Sequence, residues 1–106
     1  MKTPSELHSM EELRVAIDAL DRELVEMLAA RTRLIARAAE LKQENGWPAR
    51  IPDRVEDVVS KVRAAAEPAG LDPDLADRLW REMIEHFIGQ EEQVLGKGDP
   101  DERHDH

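Results

Sequence analysis

The sequence predicts an all-α fold, with three helices per chain, one long and two shorter, intertwined as a homodimer. Three observations carry that prediction. Residues 9–45 contain neither Pro nor Gly and repeat apolar side chains every three to four positions. Two later stretches each open on a proline suited to a first helical turn, Pro52 and Pro73. Aromatic residues are only Trp47, Trp80 and Phe87, and β-branched residues are sparse outside residues 55–62, which disfavours a sheet.

The 106 residues suffice for one domain with a modest core. Fifteen basic against 24 acidic residues give a formal charge of −9, which disfavours nucleic acid or an anionic membrane as partner. An anionic ligand must then be held by locally arranged cations, against the average field. There is no Cys, so disulfides and thiolate chemistry are excluded. The opening MKTPSELHS lacks the apolar core of a signal peptide, and no apolar run approaches the ~18 residues needed to cross a bilayer. A soluble cytoplasmic protein is expected.

In chain order, residues 1–8 are expected to be a short flexible leader, since Pro4 cannot continue a helix. Ser9 and Glu12 form a Ser-x-x-Glu capping box that starts the long helix. Its stripe runs through Leu13, Ile17, Leu20, Leu24, Met27/Leu28, Leu34/Ile35, Ala38 and Leu41, and Asn45-Gly46 is a stop signal. The segment 47–52, with two prolines, forms an ordered loop in which Trp47 is expected to be a hydrophobic plug. Helix two begins near Pro52-Asp53, presents Ile51, Val55, Val58/Val59, Val62 and Ala66, and ends over residues 67–70. Asp72 as N-cap and Pro73 at the first helical position open helix three. Its stripe is Leu75, Leu79/Trp80, Met83/Ile84 and Phe87/Ile88, extending to Val94/Leu95. The tail GKGDPDERHDH has no apolar residue and is expected to be disordered, with His104 and His106 solvated. The organisation is thus a leader at 1–8, a helical domain at 9–95 and an acidic tail at 96–106.

At ~1.5 Å rise per residue the first helix would be roughly 50 Å long, too long for two shorter helices to cover. A second copy with the long helices paired antiparallel is the simplest cover.

Several residues break the apolar pattern. Arg31 lies seven after Leu24 and four before Ile35, and Lys42 four after Ala38. Their separation, eleven residues, is close to three turns, so both project from one face. Such cations can snorkel out of a seam, but two on one buried face favour an anion site, because an unpaired buried charge is costly. Gln90 repeats the anomaly, seven after Met83 and three after Phe87, and a buried amide needs partners. His86 lies one turn earlier and either lines or flanks the same cavity. Arg54 occupies the first turn of helix two, and Arg14, off the stripe's centre, would by itself pass for a surface residue. There is no Gly-rich phosphate loop, no paired His or Cys with metal spacing, no Gly-x-Ser-x-Gly elbow and no evident nucleophile–base pair. An enzyme with this inventory would work by positioning and charge stabilisation on a small polyanion such as a dicarboxylate.

The pattern resembles the all-helical chorismate mutases over roughly residues 10–95. The likeness rests on Arg14, Arg31 seventeen residues on and Lys42 eleven beyond that. It extends to the flanking Leu13-Arg14, Ile17-Asp18-x-Leu20-Asp21 and Leu28-Ala29-x-Arg31. Pro48-Ala49-Arg50-Ile51-Pro52-Asp53-Arg54 is similar to the family's Pro-x-Arg-x-x-Asp-Arg loop, and Leu79-Trp80-x-x-Met83-Ile84-Glu85 leads to Gln90. The resemblance implies an entwined dimer in which Arg31 and the partner's Arg14 clamp the two carboxylates of chorismate. Lys42 and Gln90 would hydrogen-bond the ether oxygen during the rearrangement to prephenate, and Arg54 would touch a carboxylate or the ring hydroxyl. It implies no metal, cofactor or covalent intermediate.

Two positions depart from the family pattern. Val55 stands where many of these mutases have a Glu that helps hold the ring hydroxyl, and His86 where a small hydroxyl residue is common. Val55 and the opening Met1-Lys2-Thr3-Pro4 look like the isochorismate-pyruvate lyases of salicylate synthesis, which share the scaffold and cations. A mutase acting on aminodeoxychorismate and a non-enzymatic dimerisation module are the remaining alternatives.

Overall fold

The computed structural model describes residues 2–95 and contains helices α1 (Met10–Asn45), α2 (Pro52–Ala69) and α3 (Pro73–Leu95), with no strand among the described residues. The all-α expectation holds. The tail expected to be disordered, with His104 and His106, lies outside the described residues. Internal contacts divide the chain after Arg37 into two units.

In the first unit a 3-10 turn at Pro4–Glu6 occupies the middle of the expected leader. Proline suits its first position, and the Thr3 hydroxyl and amide both donate to Glu6 Oε1, at 2.7 and 3.4 Å. Helix α1 then starts at the foreseen cap. The Glu12 amide donates to Ser9 Oγ at 3.1 Å, while the Glu12 carboxylate reaches one residue further back than a standard box, to the His8 amide at 3.1 Å. No residue of α1 is buried, and Ile17, Leu20, Leu24 and Leu28 remain 39–50% exposed. The stripe that the sequence marks is present and uncovered.

In the second unit α2 packs on α3. The core there is Ala49, Val59, Ala66, Ala76 and Ile88. Ala66 of α2 and Ala76 of α3 are both small and buried. Pro68 does not break α2, because it falls in the last turn. The helix ends instead at Gly70 (φ 81), where the Leu71 amide donates to the Ala66 carbonyl and the Gly70 amide to Glu67. Asp72 caps α3 as expected, its Oδ1 accepting from the Asp74 amide at 2.9 Å. Trp47 differs from expectation: it is 55% exposed, and the buried plug of the loop is Ala49, at 1%. The loop turns sharply after Gly46, so the small residue that follows Pro48 faces inward instead of the indole.

Across the α2–α3 seam runs an ion-pair network. Arg81 donates from both terminal nitrogens to Glu56 at 2.9 Å and from Nε to Asp77 at 2.7 Å. Arg63 joins Asp77 at 2.9 Å and Asp74 at 2.7 Å. Hydrogen bonds from Arg81 lower the pKa of Glu56 and, together with Arg63, that of Asp77. Carboxylates depressed in the folded state stabilise it above their unfolded values, near pH 4, and lose that contribution as the pH falls through the lower folded values. Thermal melts should therefore show Tm falling as the pH is lowered through the ordinary carboxylate range and below it. Arg81→Gln should flatten that slope. A melt whose pH dependence is the same in both proteins would show the network to be inert.

Candidate active site

The side chain that organises the second unit's polar interior is Lys42, in the last turn of α1. Gly46, at φ 69, ends that helix in the left-handed region: the Trp47 amide donates to the Lys42 carbonyl at 2.8 Å, and the Gly46 amide to Gln43 at 3.3 Å. The chain thus doubles back and brings the Ala49 carbonyl within reach of the Lys42 side chain. The ammonium donates to that carbonyl at 2.7 Å and to Glu91 Oε2 at 2.9 Å. Glu91 is 8% exposed, the one buried charged residue among those described. Burying a carboxylate is tolerable only with such a partner.

The structure puts Glu91, and not Gln90, opposite Lys42. Gln90 is exposed, and its amide nitrogen lies 3.3 Å from Nε2 of His86, itself exposed and one turn earlier. The reason is helical phase. The inward line of α3 is Ala76, Trp80, Ile84, Ile88, Glu91 and Leu95, all buried or half-buried, whereas Leu79 and Gln90 face solvent. The stripe is centred one residue later than the Met83–Phe87–Gln90 line, a rotation of ~100°. Sequence reasoning missed Glu91. Its signal was present, since Glu91 follows Ile84 by seven and Ile88 by three.

Arg54, in the first turn of α2, is exposed and holds Asp57 at 2.6 Å. Asp57 also accepts from Lys61 at 2.9 Å, and these bonds, that of Lys61 first, lower its pKa. Val55 is half-buried on the inner face of α2. In the first unit Arg14 is exposed and Arg31 half-buried, both on α1. An open groove in that unit, bordered by Leu7, Glu12, Val15 and Ala19, contains none of the candidate residues. No cluster able to hold a metal ion occurs among the described residues, and no described helix is long and apolar enough to cross a membrane.

The family model described as chorismate mutase type II matches residues 13–92. The chain belongs to that family. The matched span takes in every candidate residue from Arg14 to Glu91. Among relatives of the chorismate mutase family, the T-protein of Haemophilus influenzae is 32% identical over 87 residues. That alignment covers 82% of this chain and 23% of the T-protein. A chorismate mutase of Methanocaldococcus jannaschii is 25% identical over 89 residues, 84% of this chain and 90% of the relative. An isochorismate pyruvate lyase of Pseudomonas aeruginosa is 30% identical over 92 residues, 86% and 89% respectively. The chain spans 23% and 22% of the length of the T-proteins of Haemophilus influenzae and Enterobacter agglomerans.

Proposed function

We propose that the chain is a chorismate mutase, an isomerase that carries chorismate to prephenate. The observation that carries this reading is the family match over 13–92, a span holding the whole cation set at the spacing noted in the sequence. In the rearrangement one C–O bond breaks as one C–C bond forms within the same molecule, and no proton need move. The work is to hold a compact conformer and to stabilise negative charge at the departing ether oxygen. Arg31, with Arg14 of the partner subunit, would grip the two carboxylates through paired N–H donors. Arg54 would add a contact near the ring once released from Asp57. Lys42 would donate to the ether oxygen, where a preorganised donor contributes on the order of 3–4 kcal/mol. Glu91 takes the place given earlier to Gln90. There it would hold the Lys42 ammonium beside the ether oxygen. Val55 and His86 border the site in this reading. We take the setting to be cytoplasmic, as suits a family named for a soluble metabolite.

The homodimer is part of the proposal, supported by the uncovered α1 stripe. Burying a Leu or Ile side chain that is now half exposed gains on the order of 1 kcal/mol, and a paired long helix offers many. The protein should sediment at twice its 12.1 kDa chain mass. Leu20→Asp with Leu24→Asp should give a monomer without turnover, because the site then lacks its borrowed arginine. A monomeric native protein with full activity would rule the arrangement out.

A second reading is an isochorismate-pyruvate lyase, favoured by Val55 in place of the family's Glu. The deciding experiment supplies chorismate and isochorismate in parallel. Prephenate from the first supports the mutase, and salicylate plus pyruvate from the second, without prephenate, replaces it by the lyase.

A further inference from the structure

An ammonium has three N–H bonds in near-tetrahedral directions, so two fixed acceptors determine where the third points. Lys42 has two such acceptors, Glu91 Oε2 and the Ala49 carbonyl. They differ in how they are held. Glu91 is on α3, but Ala49 belongs to the irregular segment between α1 and α2, outside any helical hydrogen-bond ladder. The segment is tied at its entry by the Trp47 amide on Lys42, and at its exit by the Ile51 carbonyl, which accepts from the Arg54 and Val55 amides at 3.0 and 3.1 Å.

Between those ties Arg50 reaches out to α3. Its two terminal nitrogens donate to the two carboxylate oxygens of Glu85 at 2.7 and 2.6 Å, a fork-on-fork pair. Hydrogen bonding to Glu85 raises the Arg50 pKa, and the same bonds lower that of Glu85, so the pair is charged throughout the ordinary pH range. The Ala49 carbonyl is joined to the Arg50 Cα through one planar peptide unit, so anchoring the Arg50 side chain on α3 limits how far that carbonyl can swing. An exposed ion pair adds little to stability, so its geometric effect is the larger one.

We propose that Arg50 and Glu85 are positioning residues: the pair fastens the 49–50 peptide to α3 and so aims the third N–H of Lys42 at the ligand. One helix then sets both acceptors, Glu91 by direct contact and Ala49 through the clamp. The inference deepens the mutase reading and rests on it where turnover is the measure.

The test compares Arg50→Gln, Glu85→Gln and Arg50→Lys with the native protein and with Lys42→Ala, using chorismate as substrate. Turnover (kcat) should fall about tenfold in both Gln variants with KM nearly unchanged, as expected when a catalytic group is slightly misaimed. Arg50→Lys, able to make one bond but not the fork, should recover part of the loss. Independently of activity, the 1H–15N signal of the Lys42 ammonium, sharp while its protons are held by two acceptors, should broaden by exchange in the Gln variants. Native-like kcat together with an unchanged ammonium signal in Arg50→Gln overturns the clamp, and so does a Tm loss with kcat and KM altered alike. If Lys42→Ala itself turns over, the mutase reading of Lys42 fails, and the clamp is then judged by the ammonium signal alone.

Discussion

Lys42→Ala is expected to lower turnover of chorismate by about two to three orders of magnitude, the loss typical of removing one donor from a developing oxyanion. A second effect must be separated from it. The substitution strands Glu91, 8% exposed, without its cation. Breaking a buried pair from one side costs about 3–5 kcal/mol when the survivor remains charged and dry, so Tm should drop as well. The double variant Lys42→Ala with Glu91→Ala removes the stranded charge and should regain much of the lost Tm while staying inactive. That divergence of stability from turnover distinguishes a catalytic lysine from a structural one. Recovery of both together would make the pair architectural only.

The second large effect concerns α3. Glu91→Ala should reduce turnover strongly, whereas Glu91→Gln, whose side-chain carbonyl can still accept from Lys42 while its N–H can donate to the ether oxygen, should retain or exceed native turnover. Gln90→Ala should change little, since that amide points to His86 and solvent. The three variants together give an outcome for each phase of the helix. Loss of activity in Gln90→Ala with native behaviour in both Glu91 variants would return the role to Gln90.

These two positions also show what the sequence could and could not reveal. The helices were legible because their punctuation is local: Ser9-x-x-Glu12, Gly46, Pro52, Gly70 and Asp72-Pro73 each act within one turn. The cations of α1 and α2 are marked as candidates by spacing and by family likeness. The phase of α3 was not. Its stripe is doubled at Leu79/Trp80, Met83/Ile84 and Phe87/Ile88, so apolar periodicity alone left its axis uncertain by one residue. Tertiary packing resolves this: where α2 packs on α3, the buried residues of α3 are Ala76, Ile88 and Glu91. The exposure of Trp47 was hidden for a similar reason. A positive-φ glycine announces a turn but not which of the next three side chains the turn will bury.

The pairs of the network that cross from α2 to α3 join partners only 11 to 25 residues apart along the chain, Arg63 with Asp74 at one extreme and Glu56 with Arg81 at the other. Short loops close fast and need no second molecule, so this hairpin can mature on a single chain soon after it is made. In the proposed homodimer, covering the α1 stripe with another copy is a bimolecular event. Refolding should accordingly divide into a phase indifferent to dilution and a later one that slows with it.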